Sequence, residues 1–468
     1  MNKSLLLFAS LSLSSMVGCN PYQKATSPLR ALPEQLDWLP SAAVDRYEDT
    51  LPESSQLSSD ALARFALTQL PEEQRSFFSH SHKLDLIAGV EAQAYLERGQ
   101  RLEPALREAL QWRYGSYELS PNRWVMTVNR SYRNTIALPN SELELEAPLV
   151  EKLVKELREK AAHGVPHRFG IAYLQSYGHR GDRSAICLVT AEHPVTITGL
   201  PRRVAAGESV ELTGTLAEGF QRPVLYHNGE AGRAERTRLE VDGSRRFQTN
   251  FTAPSTPGEH LLELRAVNAR GWSVLVARLP FYVDQEPPQG SPGPLPPALT
   301  ESRNLEELPA LVLQRLNERR ARAGQAPLQY SPEASEIAAS FATRSAHYQE
   351  LFSHELRQAL AAQGLHFGEI YSSKRRFHHL SEWLQRSARS PSARHQHLSP
   401  KYTHFAVAYH RLGPPNNRIL QLFVLLEGES APQAESTPQA GESPAAGERS
   451  RASAPGAAGE LPSAPRTP

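Results

Sequence analysis

The chain has 468 residues, enough for two or three domains, and its 40% of hydrophobic residues can fill their cores. The formal net charge is +1, so the composition offers no electrostatic case for a nucleic-acid partner or a strongly acidic one. The two cysteines, Cys19 and Cys187, are too few for a disulfide framework. Cys187 stands in an apolar strand pattern, which predicts a buried, unreactive thiol. The folded parts must therefore be stabilised by packing.

The first 18 residues have the pattern of a lipoprotein export signal. An apolar stretch at residues 5–13 is too short to span a bilayer, and the tetrapeptide Met16-Val17-Gly18-Cys19 follows it. A small residue before the cysteine fits the narrow site of a lipoprotein signal peptidase, so we expect cleavage there and acylation of Cys19. Several acyl chains give a stable anchor. Asn20 is typical of lipoproteins sent to the outer membrane, so the predicted location is the cell envelope, with the membrane contacted through the lipid on Cys19.

An α/β domain is predicted over residues 57–191, after a tether at residues 19–56 that is rich in proline and serine. Apolar residues recur at helical spacing through most of this domain, whereas short apolar runs near its end indicate strands. The predicted helices cover residues 60–69, 84–97, 104–112 and 149–163, and the predicted strands cover residues 169–175 and 185–189.

The pattern changes at residue 194, where short alternating stretches separated by turn residues replace the helical spacing. Seven such stretches fall within residues 194–284, and Asn228-Gly229 and Asp242-Gly243 are typical hairpin turns. This rhythm predicts an immunoglobulin-like β-sandwich without a disulfide, acting as a spacer. Residues 285–303 predict an extended, proline-rich linker. Residues 429–468 carry no aromatic residue and predict a disordered tail.

A second segment with helices and strands is predicted within residues 304–428. Ser331-Pro332 provides an N-cap and a first-turn proline for a helix, and Gly364 ends a shorter one. The apolar run at residues 419–426 is typical of a strand covered on both faces. The other elements are indicated by helical faces at residues 308–316, 337–348, 356–360 and 377–384, and by a half-buried strand at residues 405–409.

Short motifs in this segment occur in an order that resembles one known family. The tripeptide Phe352-Ser353-His354, the pair Gly368-Glu369, and Ser390-Pro391 follow a helix that reads N-x-x-R-x-x-x-G from Asn317 to Gly324. The set is similar to the CAP superfamily of cysteine-rich secretory, antigen 5 and pathogenesis-related proteins, in its bacterial SCP form. That resemblance implies an α-β-α sandwich whose cleft holds two histidines and one or two glutamates, which bind a divalent metal in some members.

The resemblance places His354 at the family's first histidine and Glu369 at its first glutamate. Ala393 stands where bacterial relatives have the second histidine, and Arg386 stands where eukaryotic members have a glutamate. Zinc sites normally use at least three protein ligands, so the resemblance implies an impaired site and most simply no cofactor. If the loop shifts by two residues, His395 enters the cleft, which leaves zinc as a candidate cofactor with His354 and His395 as its candidate ligands.

Two interpretations of these side chains stay open. His354 and Glu369 line a ligand-binding cleft with His395, or they form a buried hydrogen-bonded pair that only supports the fold. The neighbouring His397 and His404 are either recruited ligands or packing groups.

The function expected from these observations is non-catalytic binding of an envelope component, a small amphiphile or a protein partner. One alternative is a metal-dependent hydrolase or peptidase-like enzyme that uses His354 and Glu369 with a recruited histidine. Another is a structural envelope protein. The chain has no G-x-S-x-G, P-loop, C-x-x-C or H-E-x-x-H motif, which excludes several other chemistries.

The first α/β domain also looks like a degenerate internal copy of the CAP-like segment. The stretch at residues 106–110 matches residues 356–360, and residues 169–173 match residues 405–409 in the same order. On this alignment Pro104 stands where His354 stands. The first copy therefore lacks the cleft histidine and is not expected to bind metal in the family's way.

Overall fold

A computed structural model of the protein describes residues 45–47, 57–119, 121–129, 135–137, 144–162, 164–176, 182–229, 234–269, 271, 273–288, 307–348, 353–365, 367–377, 387–412 and 418–427. Cys19, the predicted export signal and the predicted tail lie outside these ranges. Among the described residues, no helix is both long enough and apolar enough to cross a bilayer.

The N-terminal part (residues 57–192) is a four-stranded sheet with helices on both faces. The strand order is β1-β5-β6-β2, in which β1 runs parallel to β5 and the other neighbours are antiparallel. The helices are α1 (Leu57–Thr68), α2 (Glu72–Arg75), α3 (His82–Arg98), α4 (Pro104–Arg113) and α5 (Ala147–Ala161), and the strands are β1 (Phe78–His80), β2 (Asn122–Asn129), β3 (Thr135–Ala137), β4 (Glu144–Glu146), β5 (His167–Ser176) and β6 (Arg183–Glu192).

Alternation along the central strands divides the hydrophobic core of this part into two layers. Cys187 and Val189 on β6 face α3 and α4, whereas Ile186 and Leu188 face α1 and α5. Cys187 is fully buried and free, and burial raises the pKa of its thiol, as the sequence predicts. The four predicted helices and two predicted strands are confirmed, with ends shifted by a few residues. Helix α2 and strands β1, β2, β3 and β4 were not predicted.

The central part (residues 195–284) is a β-sandwich of eight strands around one hydrophobic core. One sheet has the order β11-β10-β13-β14-β8 and the other has the order β12-β9-β7. The alternating stretches predict seven of these strands, and the two-residue strand β8 is additional. The strands are β7 (Val195–Thr198), β8 (Arg203–Val204), β9 (Ser209–Leu216), β10 (Gln221–Asn228), β11 (Ala234–Arg238), β12 (Arg246–Thr252), β13 (Gly258–Val267) and β14 (Ser273–Val283).

The C-terminal part (residues 307–427) is a second four-stranded sheet, with the order β15-β17-β18-β16. Ala406 and Val424 pack under α7 and α8, whereas Phe405 and Leu425 pack under α6, so the described end of the predicted strand, residues 424–426, is covered on both faces. The elements are α6 (Leu308–Arg322), β15 (Gln329–Tyr330), α7 (Pro332–Tyr348), α8 (Ser353–Ala362), β16 (Phe367–Phe377), α9 (Pro391–His397), β17 (Tyr402–Leu412) and β18 (Arg418–Glu427).

One prediction for the C-terminal part is wrong at its start. Phe377, which the pattern assigns to a fourth helix, is the last residue of strand β16, and Gly368-Glu369 lies within the same strand. Strand β16 pairs with β18 along most of its length, and this long-range pairing is invisible to a local helical pattern. Residues 378–386, which include Arg386, lie outside the described residues.

The two α/β parts share one pairing pattern. His80 of β1 pairs with Phe169 of β5, and Tyr330 of β15 pairs with Phe405 of β17 in the same parallel register. In each part the next residue is a serine, whose backbone N–H donates to the carbonyl of that phenylalanine at 2.8 Å and 2.9 Å respectively. The pairing therefore aligns residues 169–173 with residues 405–409, as in the sequence match.

Candidate functional site

The cleft residues expected from the sequence occupy separate elements. His354 is the second residue of α8 and is exposed. Glu369 lies on β16, where its backbone is paired with Leu425. The side chains of residues 366–386 lie outside the described part of the structure, so a contact between His354 and Glu369 stays a prediction.

His395 lies on α9 and packs against the sandwich. Its Nδ1 is 3.1 Å from the carbonyl oxygen of Ala234 on β11, and its ring meets Tyr226 of β10 edge-on with 5.5 Å between centroids. Arg394 beside it donates to Oδ1 of Asn228 at 3.1 Å. The histidine proposed as a recruited ligand is therefore engaged by the central part.

A buried carboxylate holds the start of α9. Glu263 of β13 is fully buried and accepts the hydroxyls of Ser390 and Ser392, each at 2.6 Å, and the Ser392 N–H at 3.1 Å. Burial opposes its ionisation, but Arg278 and the serine hydrogen bonds outweigh that effect and lower the pKa of Glu263. Arg278 also forms an ion pair with Glu108 of α4 at 3.1 Å. These contacts join all three parts of the molecule.

A different group of side chains meets in the N-terminal part, where α1 passes the junction of β1 and α3. Asp60 of α1, His80 of β1 and His82 of α3 each place one potential ligand atom within 4.8 Å of the other two. Among the described residues, no other group of three or more histidine, cysteine, aspartate or glutamate side chains lies this close together. Neither His354 nor His395 belongs to it.

Asp85, one turn into α3, positions both imidazoles of this group. Its carboxylate lies 2.9 Å from Nε2 of His80 and 3.2 Å from Nδ1 of His82, and it accepts the Ile171 N–H at 2.7 Å. Burial raises the pKa of Asp85, but the hydrogen bonds from His80 and His82 bring it below its usual value. The hydrogen bond to Asp85 also raises the pKa of His82. Asp85 is therefore an ionised acceptor between two imidazole donors.

The other nitrogen of each ring faces Asp60. Nδ1 of His80 lies 3.3 Å from Oδ1 of Asp60, and Nε2 of His82 lies 3.4 Å from the same oxygen. The ring centroids of the two histidines are 4.7 Å apart. Asp60 is 38% exposed, whereas the side chain of Asp85 is 8% exposed, so one carboxylate faces solvent and the other is inside the fold.

Close backbone packing makes this arrangement possible. A Cβ on Gly170 of β5 would lie 2.1 Å from the Leu84 carbonyl carbon and 2.3 Å from the Asp85 nitrogen. Because residue 170 is glycine, the first turn of α3 approaches β5 closely enough for Asp85 to reach the Ile171 N–H.

In the C-terminal part Ala406 stands in the position that corresponds to Gly170. The corresponding hydrogen bond, in which the Val407 N–H donates to Oγ of Ser335, measures 3.3 Å.

Local sequence patterns do not identify this group. The local signal is the pair of histidines in Phe78-Ser79-His80-Ser81-His82, followed by Asp85 one helical turn later. Asp60 comes from a separate helix, and the pairing of β1 with β5 is needed to orient His80. The CAP-like motifs place the expected metal ligands, His354 and His395, in the C-terminal part instead.

No family model and no curated protein matches the chain. Among solved structures, it is similar to an outer surface protein from Borrelia burgdorferi at 12% identity, covering 28% of this chain and 100% of that one, with a TM-score of 0.24. A cysteine-rich secretory protein from Staphylococcus aureus is similar at 14% identity, covering 49% and 84%, with a TM-score of 0.23. An extracellular protein containing an SCP domain from Bacillus anthracis is similar at 13% identity, covering 50% and 89%, with a TM-score of 0.21. These values assign neither a family nor an activity.

Proposed function

We propose that the protein is a lipid-anchored, extracytoplasmic binding protein whose CAP-like C-terminal part presents a ligand surface and catalyses no reaction. The N-terminal part is a diverged copy of the same fold, and the sandwich between them is an immunoglobulin-like spacer. The ligand is an envelope component, a small amphiphile or a protein partner. The anchor is the acylated Cys19, and the outer membrane is its location.

The observation that carries this proposal is that the segment from Ser390 to His395 binds the central sandwich. By the family resemblance this segment would supply the second histidine of a catalytic or metal-binding cleft. Here its two serines bind Glu263 and its histidine packs against Tyr226. Turning the segment into a cleft would leave the buried Glu263 without three of its donors, at a cost of about 3–5 kcal/mol. The segment therefore serves to hold the C-terminal part in place.

Absence of catalysis is tested with the detergent-solubilised full chain. Hydrolysis of casein and of a short-chain nitrophenyl ester should equal that of a variant carrying both His354→Ala and Glu369→Gln. Turnover by the unmodified chain that disappears in this double variant would overturn the proposal in favour of a hydrolase. His260→Ala, on the exposed side of the sandwich, serves as the matched control.

Anchoring and binding are tested separately. Cys19→Ser should abolish incorporation of labelled palmitate and move the chain from the membrane fraction to the soluble fraction. The same non-acylated chain should then cosediment with isolated cell-wall sacculi, float with phospholipid vesicles, or crosslink to an envelope protein in intact cells. Failure in all three assays contradicts a binding function and favours a purely structural one.

A further inference from the structure

We propose that the N-terminal part binds one zinc ion through Asp60, His80 and His82, with Asp85 as the carboxylate that orients both imidazoles. This site is distinct from the candidate cleft of His354 and Glu369 in the C-terminal part. It also does not depend on the proposed binding function.

Asp85 determines which nitrogens are free to bind a metal. Nε2 of His80 and Nδ1 of His82 lie 3.0 Å and 3.2 Å from the carboxylate oxygens of Asp85, so these two nitrogens are used in hydrogen bonds to it. Only the remaining nitrogen of each ring can then bind a metal. Nδ1 of His80 and Nε2 of His82 are these nitrogens, and both are directed at Oδ1 of Asp60. A carboxylate that orients a metal-bound histidine in this way is a recurrent feature of zinc sites.

The distances fit a tetrahedral ion. Ligand atoms about 2.0–2.1 Å from zinc are about 3.3–3.4 Å from one another in a tetrahedron. The two nitrogen-to-oxygen distances at Asp60 are 3.3 Å and 3.4 Å. All three ligand atoms lie within 4.8 Å of one another. A zinc ion placed between them can therefore contact all three.

The donor set selects the kind of ion. Imidazole nitrogens suit zinc and its transition-metal neighbours, whereas calcium and magnesium take oxygen ligands. Three protein ligands leave a fourth position, which faces solvent beside the 38% exposed Asp60 and the 24% exposed His82. The ion would connect α1 to the junction of β1 and α3, since each of these elements provides one ligand.

Zinc binding is measured by calorimetric titration of the metal-free, detergent-solubilised full chain. We expect one equivalent to bind with a dissociation constant in the micromolar range or below, and the unfolding temperature to rise with zinc concentration. Asp60→Ala and His82→Ala should each weaken binding at least tenfold, and Asp85→Asn should weaken it about 10–100-fold. His354→Ala and His395→Ala, in the C-terminal part, should leave the affinity unchanged.

Cobalt provides a second measurement that does not need a folded variant. Co²⁺ added to the unmodified chain should give the visible absorption of a tetrahedral site, and one equivalent of zinc should remove it. No binding to the unmodified chain at about 100 µM zinc, around the weak end of specific affinities, would overturn the proposal. Binding that is lost in His354→Ala and kept in His82→Ala would overturn it as well, because the ion would then lie in the C-terminal part.

Discussion

The carboxylate of Glu263 accepts the hydroxyl of Ser392 at 2.6 Å, across the contact between the central and C-terminal parts. Ser390 and Arg278 complete the surroundings of the same carboxylate, and Arg278 continues the network to Glu108 in the N-terminal part. A charge buried this deeply is stable only while all its partners stay in place. The orientation of the C-terminal part is therefore linked to the ionisation of one glutamate in the sandwich.

Replacing this glutamate should destabilise the joined molecule. Glu263→Gln keeps the shape of the side chain but removes the charge that Arg278 and the two serines bind, so we expect a loss of about 3–5 kcal/mol in the free energy of unfolding. Urea denaturation followed by circular dichroism measures this loss. Glu259→Gln is the matched control, because Glu259 pairs with Arg389 at the same contact with side chains 30% and 54% exposed. The control should lose no more than about 1 kcal/mol. Equal losses of unfolding free energy in the two variants would show that Glu263 stabilises this contact no more than an exposed ion pair does.

The stability of the C-terminal part should depend on the protonation of His397. This ring is buried near Arg319 and Arg320 of α6, and burial together with those charges lowers the pKa of His397 from 6.5 to about 3. The unfolded chain therefore binds one more proton than the folded chain between these values. Stability should fall by up to about 1.4 kcal/mol per unit as the pH drops below about 6.5, and should show no contribution from His397 above that pH.

The variant His397→Gln isolates this effect. Its free energy of unfolding should lose part of the pH dependence seen in the unmodified chain between about pH 3 and about pH 6.5. His404→Gln, on the half-buried strand β17, controls for the removal of a histidine from the same part. An unchanged pH slope in His397→Gln would mean that the ring accepts its proton inside the fold as readily as in the unfolded chain.

Local patterns in the sequence predicted most helices and strands, but not the long-range contacts between their side chains. The apolar run at residues 419–426 predicted a strand covered on both faces, and its described residues 424–426 pack against α7 on one face and α6 on the other. Ser390-Pro391 begins a helix because the Ser390 side chain caps the Ala393 N–H. The contact from Ser392 to Glu263, however, spans 129 residues, and no local pattern identifies that partner. For the same reason, local patterns could not predict the contact between Asp60 and His80.

Gly170→Ala tests whether close packing of α3 on β5 supports the zinc site. The added Cβ would overlap the backbone of Leu84 and Asp85, so the first turn of α3 must move away from Ile171. We expect a loss of about 1–3 kcal/mol in stability and weaker zinc binding, because Asp85 would no longer hold both imidazoles. Gly243→Ala is the control, since a Cβ there meets nothing within 4 Å. Unaltered zinc affinity in Gly170→Ala would show that zinc binding does not depend on the close packing of α3 on β5.

Arg320 carries a structural role that a lysine cannot take over. Its guanidinium is almost fully buried and donates to the backbone carbonyls of four residues, which are Ala326, His397, Ser399 and Tyr402. A lysine ammonium is a single point with three donors and cannot reproduce this fork, so at least one of the four carbonyls loses its partner. Arg320→Lys should therefore lower the free energy of unfolding by about 2–4 kcal/mol. Arg315→Lys on the same helix, with a side chain 53% exposed, should change it by less than about 0.5 kcal/mol. A small loss at both positions would show that solvent or neighbouring groups replace the missing hydrogen bonds, and that the segment after α9 is not held by Arg320.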